Sequence, residues 1–149
     1  VIEPSLTANY KGFTATLWGN LDTNPYSAGD AKHSSNWTET DFSLSYAHEF
    51  GVVKAGAGYI YYGLAGMTSN GTDLLDAQEL FISLGLNTLL APTLTIYREI
   101  DHYHQWYATL AVSHTFSLHE KVCLKLAGSV SYLKSEDRYV DEAFMAWLA

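Results

Sequence analysis

The segment Gln105 to Leu118, QWYATLAVSHTFSL, alternates strictly between two kinds of side chain. One parity is large and mostly apolar, with aromatic rings near both ends at Trp106 and Phe116. The other parity is mainly small or hydroxyl-bearing, as at Thr109 and Ser113. A period of two is the pattern of a β-strand, because successive side chains point to opposite faces. An aromatic-bounded apolar face opposite small polar residues, with few Lys or Glu, is typical of a strand between lipid and water.

The composition restricts the class of protein. The chain has 149 residues, enough for one domain, and only 16% of them are charged. A formal net charge of −8 argues against nucleic acid or an anionic lipid surface as the main partner. One cysteine, Cys123, excludes an intrachain disulfide, and no cofactor is indicated. No apolar run is long enough for a transmembrane helix, whereas a membrane-spanning strand needs only about ten alternating residues.

The same alternation recurs along the chain and predicts about nine antiparallel strands. The predicted strands cover residues 2–10, 13–22, 41–50, 53–61, 79–87, 93–101, 105–118, 122–132 and a segment from 142 onward. Short connections at 11–12, 50–52, 88–92 and 118–121 alternate with polar loops at 23–37, 66–76 and 134–141 and a compact link at 101–104. Outer-membrane barrels have this asymmetry, with short periplasmic turns and longer extracellular loops.

We therefore predict an all-β fold, an antiparallel up-and-down transmembrane β-barrel that forms a single domain over residues 1–149. Closed single-chain barrels of the bacterial outer membrane have even strand numbers. We expect the nine strands to belong to a barrel of about 10 to 12, with a strand missing at one or both ends. The chain begins at Val1 without a leader, which is expected of a mature exported protein or of a fragment.

Strand parity also assigns residues to two faces. The ionisable residues predicted to line the lumen are Glu3, Asp41, Glu49, Lys54, Glu79 and Lys125. The aromatic residues predicted to form a lipid-facing girdle are Tyr10, Phe13, Phe42, Phe50, Tyr61, Trp106, Phe116 and Tyr132. An open lumen with this surplus of carboxylates over amines is expected to favour cations. The same charges could instead form a plug of ion pairs, and parity alone leaves both alternatives open.

Arg98 conflicts with this assignment. If Leu94 and Ile96 belong to the apolar face, strict alternation places Arg98 there too, at a cost of about 2 to 4 kcal/mol near the membrane centre. A bulge near Tyr97, or a position of Arg98 close to the membrane interface, would remove the conflict.

Residues that could carry chemistry are few. His102 and His104, at positions i and i+2, would share a face on a strand and could bind a metal together with one carboxylate. Histidines in an exposed tight connection more commonly contact water, so no metal site is assigned. His48 and His114 each precede a Phe by two residues and are interpreted as interfacial. No GxSxG motif supports a hydrolase triad, and we do not predict an enzyme.

Three further motifs are interpreted as having no function. The triplets Asn36-Trp37-Thr38 and Asn70-Gly71-Thr72 match the glycosylation sequon, which in a bacterial envelope protein is a chance match. The Asp-bearing segment 22–30 lacks the spacing of a calcium loop and is interpreted as solvated.

Several segments resemble a known family. They are GFTATLWGNLDTN (12–24), TETDFSLSYAHEF (38–50), AGAGYIYY (55–62), LFISLGLNTLLAPTLTIYREID (80–101) and WYATLAVSHTF (106–116). Together they resemble uncharacterised proteobacterial outer-membrane β-barrel proteins, the porins of the TorF-like type. The resemblance covers most of residues 2–132 and implies a barrel in the outer membrane of Gram-negative bacteria, without implying a substrate or a catalytic residue. Proteins of this type carry a further strand with an aromatic-Trp-Arg-Gly motif, which this sequence lacks.

Three functions are compatible with these patterns. The first is an outer-membrane barrel that contacts lipid, or detergent once extracted, and either allows passive diffusion of small hydrophilic solutes or serves as a structural envelope protein, alone, as an oligomer or with a partner chain. The second is a soluble ligand-binding barrel of the lipocalin or avidin kind, which would turn the small polar face outward with almost no Lys or Glu on it. The third is a β-rich fragment that pairs with a partner sheet.

Overall fold

A computed structural model of the chain describes residues 1–23, 35–65 and 76–135, together with the backbone of residues 143–148. The strands are β1 (Ser5–Tyr10), β2 (Phe13–Asp22), β3 (Asn36–Phe50), β4 (Val53–Leu64), β5 (Ala77–Leu86), β6 (Thr93–Glu99), β7 (Gln105–His119), β8 (Val122–Ser135) and β9 (Ala143–Leu148). None of the described residues forms a helix long and apolar enough to span a membrane.

The nine strands form one sheet in which each strand pairs with the next in sequence. Every pairing is antiparallel, and the sheet curls like half of a barrel. The predicted all-β, antiparallel, up-and-down architecture is therefore confirmed. β1 and β9 are the two edges of the sheet over the part of the chain that is described.

Tight turns join the strands at one end of the sheet, which we call the turn end. Lys11 and Gly12 have φ angles of 47° and 89°, and both central residues of a type I′ hairpin turn require positive φ. Gly51, with φ of 63°, begins the two-residue link between Phe50 and Val53. The links after β5 and β7, at residues 87–92 and 120–121, lie at this same end. The connections that follow β2, β4, β6 and β8 begin and end at the opposite end, which we call the loop end. The predicted short turns at residues 11–12 and 50–52 are confirmed.

Register confirms the division into two faces, because directly paired residues of neighbouring antiparallel strands lie on the same side. Leu17 pairs with Phe42 and Phe42 with Tyr61, so their shared side is apolar across three strands. Thr95 pairs with Thr109 and Thr109 with Ser131 on the other side. We call these the apolar face and the polar face. The large side chains of the apolar face are more exposed than the smaller ones opposite, as expected of the convex and concave sides of a curled sheet.

Burial in this sheet is the reverse of that in a water-soluble domain. No hydrophobic side chain among the described residues is buried, whereas Ile82 and Leu84 are 61% and 54% exposed. The buried polar side chains are Glu99 and Ser131, with 1% and 2% exposure. The sheet therefore has no apolar core within the described chain, and most of its large aliphatic residues lie on the exposed apolar face.

A bulge corrects the predicted start of β3. The sequence predicted a loop through Trp37, but β3 begins at Asn36, and the register shifts opposite Asn20 and Leu21, leaving Thr38 without a direct cross-strand partner. The shift places Trp37 on the apolar face, where its ring covers Gly19 so closely that a Cβ there would collide with it. The Asn20 side-chain amide donates to the Thr38 hydroxyl at 2.9 Å and stabilises the bulge.

Other strand boundaries differ from the predicted ones by a few residues. β6 ends at Glu99 instead of residue 101, because the chain turns there, while β4 and β8 extend to Leu64 and Ser135. The sequon at Asn70 and most of the predicted loops 23–37, 66–76 and 134–141 lie outside the described residues, as does most of segment 22–30.

Candidate functional site

The polar face between β4 and β8 changes abruptly in side-chain size along the strands. Rows of directly paired residues cross the sheet, and the two rows nearest the turn end contain small side chains apart from Lys54. These rows are Lys54, Gly85, Thr93, Ala111 and Ser129, and then Gly56, Ser83, Thr95, Thr109 and Ser131. A hollow of about 250 Å³ lies at the first of these rows and on its turn-end side, bordered by Thr93, Ala111, Ser113 and Ser129 among others.

The next row toward the loop end contains three aromatic rings on adjacent strands, Phe81, Tyr97 and Tyr107, which we call the aromatic row. The ring centroids of Phe81 and Tyr97 are 5.4 Å apart, and those of Tyr97 and Tyr107 are 5.8 Å apart. These distances and the tilted ring planes are favourable for aromatic pairs. The Tyr107 hydroxyl donates to Ser131 Oγ at 2.8 Å, and the Phe81 ring covers Gly58. The three rings are therefore fixed at both ends of the row.

Two of the predicted lumen residues come together beyond the aromatic row. Asp41 is the direct partner of Tyr62, and the Tyr62 hydroxyl donates to Glu79 Oε2 at 2.9 Å. Asp41 Oδ1 is buried and accepts no hydrogen bond from the described atoms. A small acidic group on the polar face thus lies on the loop-end side of the aromatic row.

The remaining predicted lumen residues are dispersed. Glu49 is the direct partner of Lys54 at the turn end, so these opposite charges are neighbours on one face. Lys125 pairs with Thr115 on β8 and β7, far along the sheet. Glu3 precedes β1 and is exposed. The structure therefore gathers four of the six residues into two pairs and leaves the other two apart.

Glu99 determines the shape of the connection between β6 and β7. Its Oε1 accepts hydrogen bonds from the backbone N–H groups of Asp101 and His102 at 2.8 and 3.0 Å. Its Oε2 accepts from those of Tyr103 and His104 at 2.7 and 2.6 Å. Hydrogen bonds to a carboxylate are stronger than those between neutral groups, so this buried side chain holds the turn closed.

The predicted girdle residues share the apolar face and divide into two groups. At the turn end, His48 and His114 pack edge-on against the rings of Phe50 and Phe116, with centroids 4.6 and 4.4 Å apart. Tyr10, Phe13, Phe50 and Phe116 lie toward the turn end, and Phe42, Tyr61, Trp106 and Tyr132 lie nearer the loop end. Along β7, Leu110 and Val112 lie on this face between Trp106 and Phe116. The apolar-face residues of β5 and β6 include Leu80, Ile82, Leu84 and Leu94.

Arg98 lies on the apolar face near the loop end. It pairs with Leu80 and Trp106 without a register shift, so no bulge occurs at Tyr97. Its guanidinium lies over the Trp106 ring at 4.9 Å, and Nη1 donates to the His104 carbonyl at 3.1 Å. The register therefore excludes the bulge, and Arg98 lies one residue from the end of β6. Its position close to the membrane interface stays a prediction.

Polar contacts also tie the apolar face together at the loop end. The Tyr59 hydroxyl donates to Gln78, whose amide donates to Asp101 at 2.9 Å. Tyr61 donates to the Asp76 carboxylate, and this hydrogen bond, followed by that from the Leu64 amide, lowers the pKa of Asp76. Strands β4 and β5 are thus linked to the turn that follows β6.

The two histidines considered as metal ligands do not lie on a strand. His102 Nδ1 is 2.9 Å from the Asp76 carbonyl oxygen and 3.3 Å from an Asp101 carboxylate oxygen. His104 has a left-handed φ of 45° and donates its N–H to Glu99. No group of three His, Cys, Asp or Glu side chains among the described residues could hold a metal ion.

A scan against protein-family models and searches of curated proteins and of solved structures found no match to this chain. Its architecture and side-chain arrangement therefore carry the functional argument.

Sequence reasoning missed two features of the polar face. The aromatic row requires the register of three strands, which the alternation within each strand does not contain. The role of Glu99 had a local signal, since an acid that ends a strand immediately before a tight turn can accept the amides of that turn.

Proposed function

We propose that this protein is a bacterial outer-membrane β-barrel of the porin type, with the apolar face against lipid and the polar face toward a water-filled lumen. In this role it allows passive diffusion of small hydrophilic solutes. The observation that carries the proposal is the reversed burial: aliphatic side chains in the middle of the strands, such as Ile82 and Leu84, are more than half exposed. A continuous exposed apolar surface is unfavourable in water and favourable against hydrocarbon.

The two ends of the apolar face support this proposal. Along β7, Trp106 and Phe116 lie near the two ends of this face, and Leu110 and Val112 lie between them. Membrane barrels concentrate aromatic residues at the two interfaces with water in this way. The tight turns at one end and the longer connections at the other fit the periplasmic and extracellular sides, respectively.

The proposal includes a closed barrel, in which β1 and β9 pair with further strands. An unpaired edge within hydrocarbon leaves backbone N–H and C=O groups without partners, which costs several kcal/mol for each group. Each edge strand would be completed by another strand of the same protein or by a partner chain.

A soluble lipocalin-like barrel fits the exposure less well. Such a barrel holds its ligand among large apolar side chains inside. Here the small and hydroxyl-bearing residues lie on the less exposed face, and the large aliphatic residues lie on the other. A structural envelope protein remains the second candidate, favoured by the aromatic row, which narrows the space on the polar face.

Detergent dependence tests the membrane assignment. We expect the purified chain to remain monodisperse only with detergent or lipid, and to run at different positions on a gel with and without boiling. A monodisperse chain in detergent-free buffer, with an unchanged position on the gel after boiling, would contradict the assignment. Conductance in planar bilayers then separates the porin from a closed structural barrel.

A further inference from the structure

We infer that the aromatic row of Phe81, Tyr97 and Tyr107 is the narrowest part of the solute path and sets its size limit. This inference rests on the proposed porin function and assigns the residues that select solutes. It follows from the distribution of side-chain volume on the polar face, which parity and composition do not reveal.

The first step is the change in side-chain size between adjacent rows. On β5, β6 and β7, the row of Ser83, Thr95 and Thr109 is followed directly by Phe81, Tyr97 and Tyr107. Three hydroxyl residues are thus replaced by three rings within two residues of each strand, a distance of about 7 Å. A path along this face narrows at that position, and the hollow beside Thr93 and Ala111 lies farther along, on the wider turn-end side.

The second step is that the rings are held in place. Phe81 lies against Gly58, where an added Cβ would be 2.5 Å from the ring. Tyr107 is fixed by its hydrogen bond to the buried Ser131, and Tyr97 packs between the two outer rings. A side chain in mutual contact with its neighbours restricts passage by its volume, since moving it would break several contacts.

The third step concerns the groups at the loop-end side of the rings. Glu79 and Tyr62 are hydrogen-bonded to each other there, and Asp41 is the direct partner of Tyr62. Carboxylates at a constriction attract cations and repel anions. The aromatic row together with Glu79 therefore favours small neutral or cationic solutes over anions and over larger molecules.

Single-channel conductance of the full chain in planar bilayers tests the inference. We compare the unaltered protein with the double variant Phe81→Ala, Tyr97→Ala and with Tyr46→Ala, which removes a ring from the apolar face. The double variant is expected to raise conductance about twofold or more and to admit larger polyethylene glycols, because it widens the pore. Tyr46→Ala is expected to leave both unchanged. Altered gel mobility on boiling verifies the folding of each variant.

A reciprocal variant tests whether a higher conductance of the double variant comes from a wider path and not from a general loosening of the barrel. Thr95→Tyr adds a ring to the row of small residues and is expected to lower conductance. If the unaltered protein conducts and neither the double variant nor Thr95→Tyr changes its conductance, the inference is wrong and the porin proposal stands. If only the double variant conducts, the aromatic row closes the path and the unaltered protein is not a porin. If neither the unaltered protein nor the double variant conducts, both the porin proposal and the inference about the aromatic row fail.

Discussion

The apolar and polar faces are built from alternate residues of the same strands, yet their side chains find partners in different ways. On the polar face, Tyr107 and Thr109 are each hydrogen-bonded to Ser131, and the aromatic rings pack side by side. On the apolar face, the mid-strand side chains of Ile82 and Leu84 remain largely exposed. One face is satisfied by its own contacts, whereas the sheet itself leaves the aliphatic side chains of the other face exposed.

In our proposal, this difference means that the sheet depends on a partner for its apolar face. Backbone hydrogen bonds and polar-face contacts hold the strands together, but they do not remove the aliphatic side chains from water. Burial of such a side chain contributes about 1.5 to 3 kcal/mol. In our proposal lipid provides that contribution, and the predictions below test whether the two faces respond as differently as this requires.

The largest effect is expected from a charge in the middle of the apolar face. Leu84→Arg should lower the free energy of unfolding in lipid vesicles by about 2 to 4 kcal/mol, because the guanidinium would lie in hydrocarbon. The adjacent Ser83→Arg, which points to the polar face, should cost much less. Urea titration of both variants measures the difference. Equal losses would mean that the polar face is as dry as the apolar one.

A second large effect is expected at Glu99, which holds four backbone N–H groups of the β6 to β7 turn. Glu99→Ala should reduce stability by about 2 to 3 kcal/mol, since these buried donors would lose a charged acceptor. Glu49→Ala, at an exposed position on β3, serves as the control. Hydrogen exchange at residues 101–104 should accelerate only in Glu99→Ala. Unchanged exchange at these residues would mean that the Glu99 carboxylate does not hold the turn closed.

The sequence predicted those features that depend on a strand and its own turn. The alternation of Leu80, Phe81 and Ile82 assigns each side chain to a face, and Lys11-Gly12 marks a turn that favours positive φ. Features that depend on neighbouring strands were not predictable in this way. Trp37 reaches the apolar face only because the chain bulges at Thr38, and the bulge is defined by pairing with β2. The aromatic row likewise exists only through the registers of β5, β6 and β7.

Two glycines, one on each face, test whether side chains pack more rigidly on the polar face than on the apolar face. A Cβ on Gly58, on the polar face, would lie 2.5 Å from the Phe81 ring and 2.7 Å from the Leu44 carbonyl oxygen. Gly58→Ala should therefore cost about 1 to 2 kcal/mol, because backbone must shift. On the apolar face, the atoms nearest to a Cβ on Gly19 belong to the exposed Trp37 side chain, which can move if it gives up its hydrogen bond to Thr40, so Gly19→Ala should cost less. Thermal unfolding in detergent compares the two variants, and a greater loss for Gly19→Ala would contradict this account.

The smallest effect is expected at Arg98, whose charge conflicted with the apolar face predicted from the sequence. A double-mutant cycle of Arg98→Gln and Trp106→Leu should give a coupling of about 0.5 to 1 kcal/mol, typical of an exposed cation–π contact. A coupling near zero would mean that the Trp106 ring does not stabilise the guanidinium.

The central claim is that adjacent residues of one strand meet lipid and water, respectively. Single cysteines at positions 84 and 83, each with Cys123→Ser, can be labelled with an environment-sensitive fluorophore and refolded into vesicles that contain brominated lipid. We predict that brominated lipid quenches the label at position 84 but not at 83, and that aqueous iodide quenches the label at 83 but not at 84. Equal quenching of both labels by iodide, with none by brominated lipid, would contradict the claim.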